Sequence, residues 1–214
     1  MVRPQSLRHH SIEASPYVIG FDASRLGLGA VRMRESVIEE YFVDSIACHD
    51  EHFFGVLAGD EDGQQLWGAL AMLVALRNWR QVWATGRCNL SVEGDSMTAL
   101  YLLVDIKSRS DASVRLAREV ALELGAATYR PDQVRHIPGI TSKLPDYLSR
   151  CMAPPYSELP FPAALAGARR AHPAVWDASW YLARDVPRRA RGRKRERMRG
   201  HCTFVMEIGG MVWF

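Results

Sequence analysis

A chain of 214 residues that is 48% hydrophobic and 24% charged can bury one good core, with appendages too short for a second domain of ordinary size. No stretch approaches the roughly 20 consecutive apolar residues that span a bilayer, and the N-terminus lacks the apolar centre of a secretion signal, which argues against a membrane protein and for an intracellular one, cytoplasmic or nuclear. The formal net charge of +3 is unevenly placed: Arg188 to Arg199 holds eight basic residues and one acid, so the rest carries 19 basic and 23 acidic groups, and any polyanion site on the body must come from local clustering.

In chain order, residues 1–16 form a polar, irregular arm whose His9-His10 pair shows no metal-ligand pattern. Tyr17-Val18-Ile19-Gly20-Phe21-Asp22 is an apolar run ending on an acid, which reads as a buried strand that delivers a carboxylate to its tip. Gly29 to Met33 and Val37 to Val43 read as two further strands, with Arg34-Glu35-Ser36 as the turn between them, so the three make an antiparallel meander. Cys48 to Gly63 reads as a long polar loop. Gln64 to Arg80 is the clearest helix, apolar over most of its circumference and therefore packed on several sides, with Gly68, Ala71 and Ala75 as a stripe of small residues.

Arg87 to Glu93 alternates as a strand and runs into Gly94-Asp95, a second acid at a strand tip. Ser96 to Leu103 and Asp111 to Thr128 read as helices joined by a connection that carries Lys107 and Arg109. Gln133 to Ile137 is a short strand, Pro138-Gly139 a turn, and Thr141 to Arg150 a last short helix. Pro145 is tolerated only in a first helical turn, which puts the third acid, Asp146, near that helix's N-terminus. Beyond Ala153 the composition shifts to prolines and then to the arginine run. The expected organisation is therefore an arm over 1–16, one α/β domain over 17–150, and a Pro-rich linker with a basic tail over 151–214, poorly ordered.

A mixed sheet with flanking helices brings strand-tip acids towards one place. Carboxylates gathered without basic partners repel, and a divalent cation resolves the repulsion. Hard oxygen ligands without patterned histidine or cysteine favour magnesium or manganese, and Cys48, Cys88, Cys151 and Cys202 lack zinc-site spacing. Such a site suits phosphoryl transfer.

Phe21-Asp22-Ala23-Ser24 with Gly27-Leu28-Gly29-Ala30, then Leu70 to Trp79, Gly94-Asp95-Ser96-Met97-Thr98-Ala99-Leu100, His136-Ile137-Pro138-Gly139 and Asp146-Tyr147-Leu148-Ser149-Arg150 together resemble the successive motifs of the ribonuclease H domain of retroelement reverse transcriptase polyproteins. The resemblance covers about residues 17 to 150. It implies a five-stranded mixed sheet flanked by helices, and two magnesium (or manganese) ions held by Asp, Glu, Asp and Asp that hydrolyse the RNA strand of an RNA–DNA hybrid. Position by position, Asp22 bridges both metals, and Asp95 and Asp146 each help to hold one. A reverse transcriptase domain in a longer polyprotein is the implied partner, alongside the nucleic acid itself.

The resemblance fails at one position that matters. The family's helix carboxylate falls eleven residues before the tryptophan matching Trp79, and that residue is Gly68. Neither Glu61 nor Glu93 is placed to substitute. The expectation is weakened binding at one metal site and cleavage reduced by orders of magnitude, with hybrid binding retained. The alternative is an inactive ribonuclease H-fold module that binds nucleic acid or supports a polymerase. Ile140 stands where some relatives carry a product-release histidine, and His136 reads as a structural residue. Arg25, Lys107, Arg109 and Lys143 are the candidate phosphate contacts, and Trp67, Trp79 and Trp83 belong to the core. An integrase-type reading is disfavoured, because no zinc-binding or helix-turn-helix segment is present and Asp146 sits in a ribonuclease-like setting.

Overall fold

The fold is given by a computed structural model, which describes residues 16–60, 63–84, 89–106, 110–126, 131–172, 176–182, 206–208 and 211–213. His9, His10, Lys107, Arg109 and the Arg188 to Arg199 run lie outside them. The meander forms as its alternation predicts: β1 (Tyr17–Ala23), β2 (Gly27–Arg34) and β3 (Val37–Ser45) pair antiparallel in sequence order. Glu35 and Ser36 turn the second hairpin, both at positive φ (51° and 68°), a two-residue loop whose twist suits the flanking strands.

The chain then descends through α1 (Cys48–Phe54), α2 (Gln64–Asn78) and the short α3 (Arg80–Ala84). The first of these falls inside the stretch read as a polar loop. Its sequence, Cys-His-Asp-Glu-His-Phe-Phe, has no apolar period, and it is held by Asp50, which accepts from the Ala47 amide at 2.9 Å and is fully buried. β4 (Leu90–Gly94) lies parallel to β1, and after α4 (Met97–Asp105) and α5 (Asp111–Ala126) the strand β5 (Gln133–His136) lies parallel to β4. The last helix is α6 (Lys143–Arg150). The expected five strands are thus present in the spatial order β3-β2-β1-β4-β5. Short strands extend the sheet to eight: β6 (Arg169–Arg170) beside β3, and β7 (Met206–Ile208) then β8 (Met211–Trp213) beyond β5.

Two helical layers cover the sheet. Leu66 to Leu76 of α2 are buried without a break, because this helix lies against β1 and β2 on one side and α4 and α5 on the other. Ile19, Phe21, Leu28, Ala30 and Phe42 point into that layer, while Val31 and Val43 point the opposite way, onto Leu148 of α6. Among the described residues, no helix is long and apolar enough to cross a membrane.

The described residues after Arg150, in the stretch that composition marks as a linker, pack on the domain. Leu165 joins the α6 layer, and Tyr181 is fully buried in the main core. The Tyr181 ring stacks on Phe53 at 4.0 Å with its hydroxyl on the Asp50 carboxylate. Beside it the Trp180 ring lies 4.4 Å from the Arg77 guanidinium, which also bonds the buried Glu119 and Glu123 of α5. Leu182 donates its amide to Glu119 at 3.0 Å. Tyr181→Phe removes the hydroxyl from a buried carboxylate while keeping the ring. It is expected to lower unfolding free energy by about 2 kcal/mol, measured by urea unfolding, whereas a change within about 0.5 kcal/mol would show that the bond contributes nothing net.

Candidate active site

Asp22 lies one residue from the end of β1, on the α6 face of the sheet, and is 6% exposed. Its position follows from the strand's alternation: Ile19, Phe21 and Ala23 go to the α2 core, which leaves Gly20 and Asp22 facing α6. The Asp22 carboxylate accepts a hydrogen bond from the Ser149 hydroxyl at 2.9 Å, and the same hydroxyl lies 2.9 Å from the Asp146 carbonyl. Ser24 in turn donates to the Ser149 carbonyl at 2.6 Å, so the end of β1 is tied to the C-terminal half of α6 at two points. Ser149 was legible only as part of the Asp-Tyr-Leu-Ser-Arg motif, and its contact with Asp22 spans 127 positions.

The glycines of the Gly27-Leu28-Gly29 stretch make this approach possible. A Cβ at Gly27 would stand 2.3 Å from the Ser149 carbonyl oxygen, and one at Gly29 would stand 2.6 Å from both Leu148 Cβ and the Ser149 amide. These are backbone collisions that no rotamer relieves.

Asp95 follows β4 directly and is exposed. His136 Nε2 lies 3.1 Å from its carbonyl oxygen, which makes this histidine a contact of the backbone, as its strand position suggested. The Pro138-Gly139 turn approaches the carboxylate itself: a Cβ on Gly139 would come within 3.1 Å of Asp95 Oδ2. Asp146 stands in the first turn of α6, where Pro145 predicted it, and is half-buried. Its carboxylate pairs with Arg150 one turn on, at 2.6 Å. Ile140 is 81% exposed on the rim.

The three acids share an electrostatic environment. Burial, the charge of Asp95 and, more weakly, that of Asp146 push the Asp22 carboxyl up to about 7, against hydrogen bonds from Ser149 and the Ala23 backbone that act the other way. As the side chains stand, no three acids, histidines or cysteines among the described residues are grouped closely enough to hold a metal ion jointly. The charge imbalance at Asp22 fits a hard divalent cation, and the donor set is all oxygen.

Gly68 lies on the buried face of α2, and its missing side chain would point at Ser96, with Cβ 3.0 Å from Ser96 Cβ and Oγ. A carboxylate at this position, as the motifs imply, would enter beside Ser96, the chain neighbour of Asp95. Glu93 does not replace it, because its carboxylate is engaged by Arg135 at 3.1 Å and approached by Ser91. Glu61 lies outside the described residues. Of the candidate phosphate contacts, Lys143 at the start of α6 and Arg25 in the turn after β1 are exposed.

A meander followed by two parallel strands, with an acid at the end of the central strand and others after β4 and in α6, is the arrangement that the motif order implied. The fold is ribonuclease H-like. Similar solved structures include ribonuclease H1 from the halophilic archaeon Halobacterium salinarum, with 18% identity and a TM-score of 0.47 over 62% of this chain and 92% of that one. Another is the N-terminal ribonuclease H domain of a Mycobacterium tuberculosis protein, solved as a fusion with maltose-binding protein, with 14% identity and a TM-score of 0.47 over 63% and 91%. No protein-family model and no curated protein matches the chain. The retroelement setting therefore rests on the motifs of the sequence.

Proposed function

We propose that this chain is a ribonuclease H-type module of retroelement origin, which binds RNA–DNA hybrids and hydrolyses their RNA strand at a strongly reduced rate. The observation that carries the reading is the buried Asp22 at the end of the central strand, held near neutral titration by burial and by the neighbouring charges of Asp95 and Asp146. Burying an ionised carboxylate beside others of its kind costs stability, and a cation site gives that cost a purpose. Asp22, Asp95 and Asp146 would hold magnesium or manganese. When bound, such an ion activates water and stabilises the leaving oxygen in phosphodiester hydrolysis. Ser149 bonds the Asp22 carboxylate, and the glycine contacts of β2 seat α6, the helix that carries Asp146, against the sheet. Lys143 and Arg25 would take backbone phosphates, as would Lys107 and Arg109, with salt-sensitive affinity.

Gly68 supports impairment. The family pattern uses two ions and four carboxylates, and one of the four is absent next to Asp95, which leaves one ion weakly held. The second reading, an inactive module that grips nucleic acid or supports a reverse transcriptase, is favoured by the same glycine and by the pairing of Asp146 with Arg150. A labelled RNA–DNA hybrid tests both. The expected result is retention of the hybrid in a gel-shift assay, slow magnesium-dependent cleavage, and loss of that cleavage in Asp95→Asn. Robust cleavage by the unaltered chain would overturn impairment, complete absence of cleavage would select the inactive module, and failure to retain the hybrid would sink both.

A further inference from the structure

The segment that follows α6 sets aromatic rings beside the cations of that helix. Arg150 uses its Nε to bond the Asp146 carboxylate at 2.6 Å, and its guanidinium lies 5.4 Å from the centre of the Tyr156 ring. One turn back on α6, Tyr147 meets the Phe161 ring at 6.4 Å, and Phe161 meets Tyr41 of β3 at 5.7 Å. Tyr41 pairs in the sheet with Arg170 of β6, whose guanidinium bonds the Val43 carbonyl at 3.2 Å and meets no carboxylate among the described residues. The rings are held in place without being covered: Phe161 is 51% exposed and Tyr156 is half-buried. The same segment buries Leu165 fully, so packing on α6 does not require Phe161 to stand half in water.

A lone exposed phenylalanine needs no explanation, but here rings and cations alternate along one connected surface. From Cys151 to His172 the sequence holds one acid, Glu158, against Arg169 and Arg170, so the charge favours a polyanion. Phosphates would meet Arg150 and Arg170. The free ring faces select among polyanions, because unpaired bases can stack on them, whereas a duplex keeps its base faces inside its own stack. We propose that the surface of Tyr156, Phe161, Arg150 and Arg170 binds a single-stranded polynucleotide, with bases on the rings and phosphates on the guanidinium groups. This goes beyond the hybrid-binding reading and needs neither a bound ion nor cleavage.

Fluorescence anisotropy on the full chain tests this with short labelled oligothymidylate and oligouridylate, and with a blunt RNA–DNA hybrid in parallel, across a range of salt. Phe161→Leu and Tyr156→Leu keep apolar bulk and remove a stacking face, and thermal unfolding checks that both fold. Each is expected to weaken single-strand binding about tenfold and to change blunt-hybrid binding by no more than about twofold. Arg170→Gln is expected to lower the slope of log affinity against log salt by about 0.7, the loss of one phosphate contact. Weakening on either oligonucleotide supports the proposal and tells which strand is held. The arginine run from Arg188 binds polyanions by charge alike in parent and variants, so parent-like affinity in a folded Phe161→Leu/Tyr156→Leu protein overturns the proposal. Equal weakening on the blunt hybrid also overturns it, by assigning the rings to the duplex. Retention of the hybrid with no binding of either oligonucleotide sinks this surface and leaves the proposed function standing. Ring-dependent binding of the oligonucleotides without retention of the hybrid does the reverse.

Discussion

Asp22→Asn is expected to stabilise the cation-free protein at pH 8, by up to about 4 kcal/mol, and to abolish its binding of divalent cations. The folded-state carboxyl titrates at about 7 and the unfolded one at its ordinary 3.8, chiefly because burial and the Asp95 charge disfavour ionisation. Between those values the folded protein holds the proton that the unfolded chain has released, so stability falls as pH rises and the penalty is complete above about 7. Each unit of difference is worth roughly 1.4 kcal/mol, which sets the upper bound. Asparagine keeps the shape and can still accept from Ser149 while removing the charge. Urea unfolding in EDTA at pH 5 and pH 8 should therefore show the parent losing stability across that interval and Asp22→Asn losing much less. Magnesium should stabilise the parent at pH 8 more than at pH 5, and should leave Asp22→Asn unaffected. An Asp22→Asn protein less stable than its parent at pH 8 would mean that the buried charge is satisfied by the protein alone.

Placing a carboxylate at position 68 is expected to have the larger effect on activity, and the structure shows that it needs Ser96 to give way. A Cβ at position 68 would stand 3.0 Å from both Cβ and Oγ of Ser96, tighter than ordinary packing. Ser96 caps α4, its hydroxyl accepting from the Ala99 amide at 3.3 Å, so it gives way only at the expense of that cap. Gly68→Glu alone is expected to cost on the order of 1–3 kcal/mol through overpacking. Ser96→Gly removes the obstructing atoms, and glycine at an N-cap costs only a few tenths of a kcal/mol relative to serine. The double variant, Gly68→Glu with Ser96→Gly, is expected to raise magnesium-dependent cleavage of an RNA–DNA hybrid at least about a hundredfold over the parent. That gain would identify the parent as a nuclease disabled at one residue. A folded double variant that binds hybrid and does not cleave it would assign the chain to the inactive class.

The parts of this fold that were legible in the sequence are those with a strong local period. The six-residue run to Asp22, the hairpin at Glu35-Ser36 and the apolar circumference of α2 each announce themselves within a few residues, and Pro145 alone places Asp146 in a first turn. The helix at Cys48 to Phe54 was hidden because its stability comes from Asp50 and from Tyr181, not from any periodicity of its own. Tyr181 was hidden for the matching reason: it sits 131 positions from the carboxylate it bonds, in a Pro-rich stretch that reads as linker. At the site, the three aspartates were visible as residues at element ends, and Gly68 as a gap in a motif. Ser149 was visible only as one letter of a motif, because it is a common polar residue whose contact with Asp22 joins α6 to β1.

The glycine contacts between β2 and α6 bear on how the site meets an ion. Backbone rests on backbone at Gly27 and Gly29, so the seat of the Asp146 helix is set by main-chain dimensions and not by adjustable side chains. A helix clamped in this way is pre-ordered: an ion of the kind proposed would need to freeze only the rotamers of Asp95 and Asp146, with little entropy lost from the framework that carries them. The same clamp leaves little tolerance for repair by drift, because the main-chain spacing between the sheet and the helix that carries Asp146 cannot be retuned by side-chain changes.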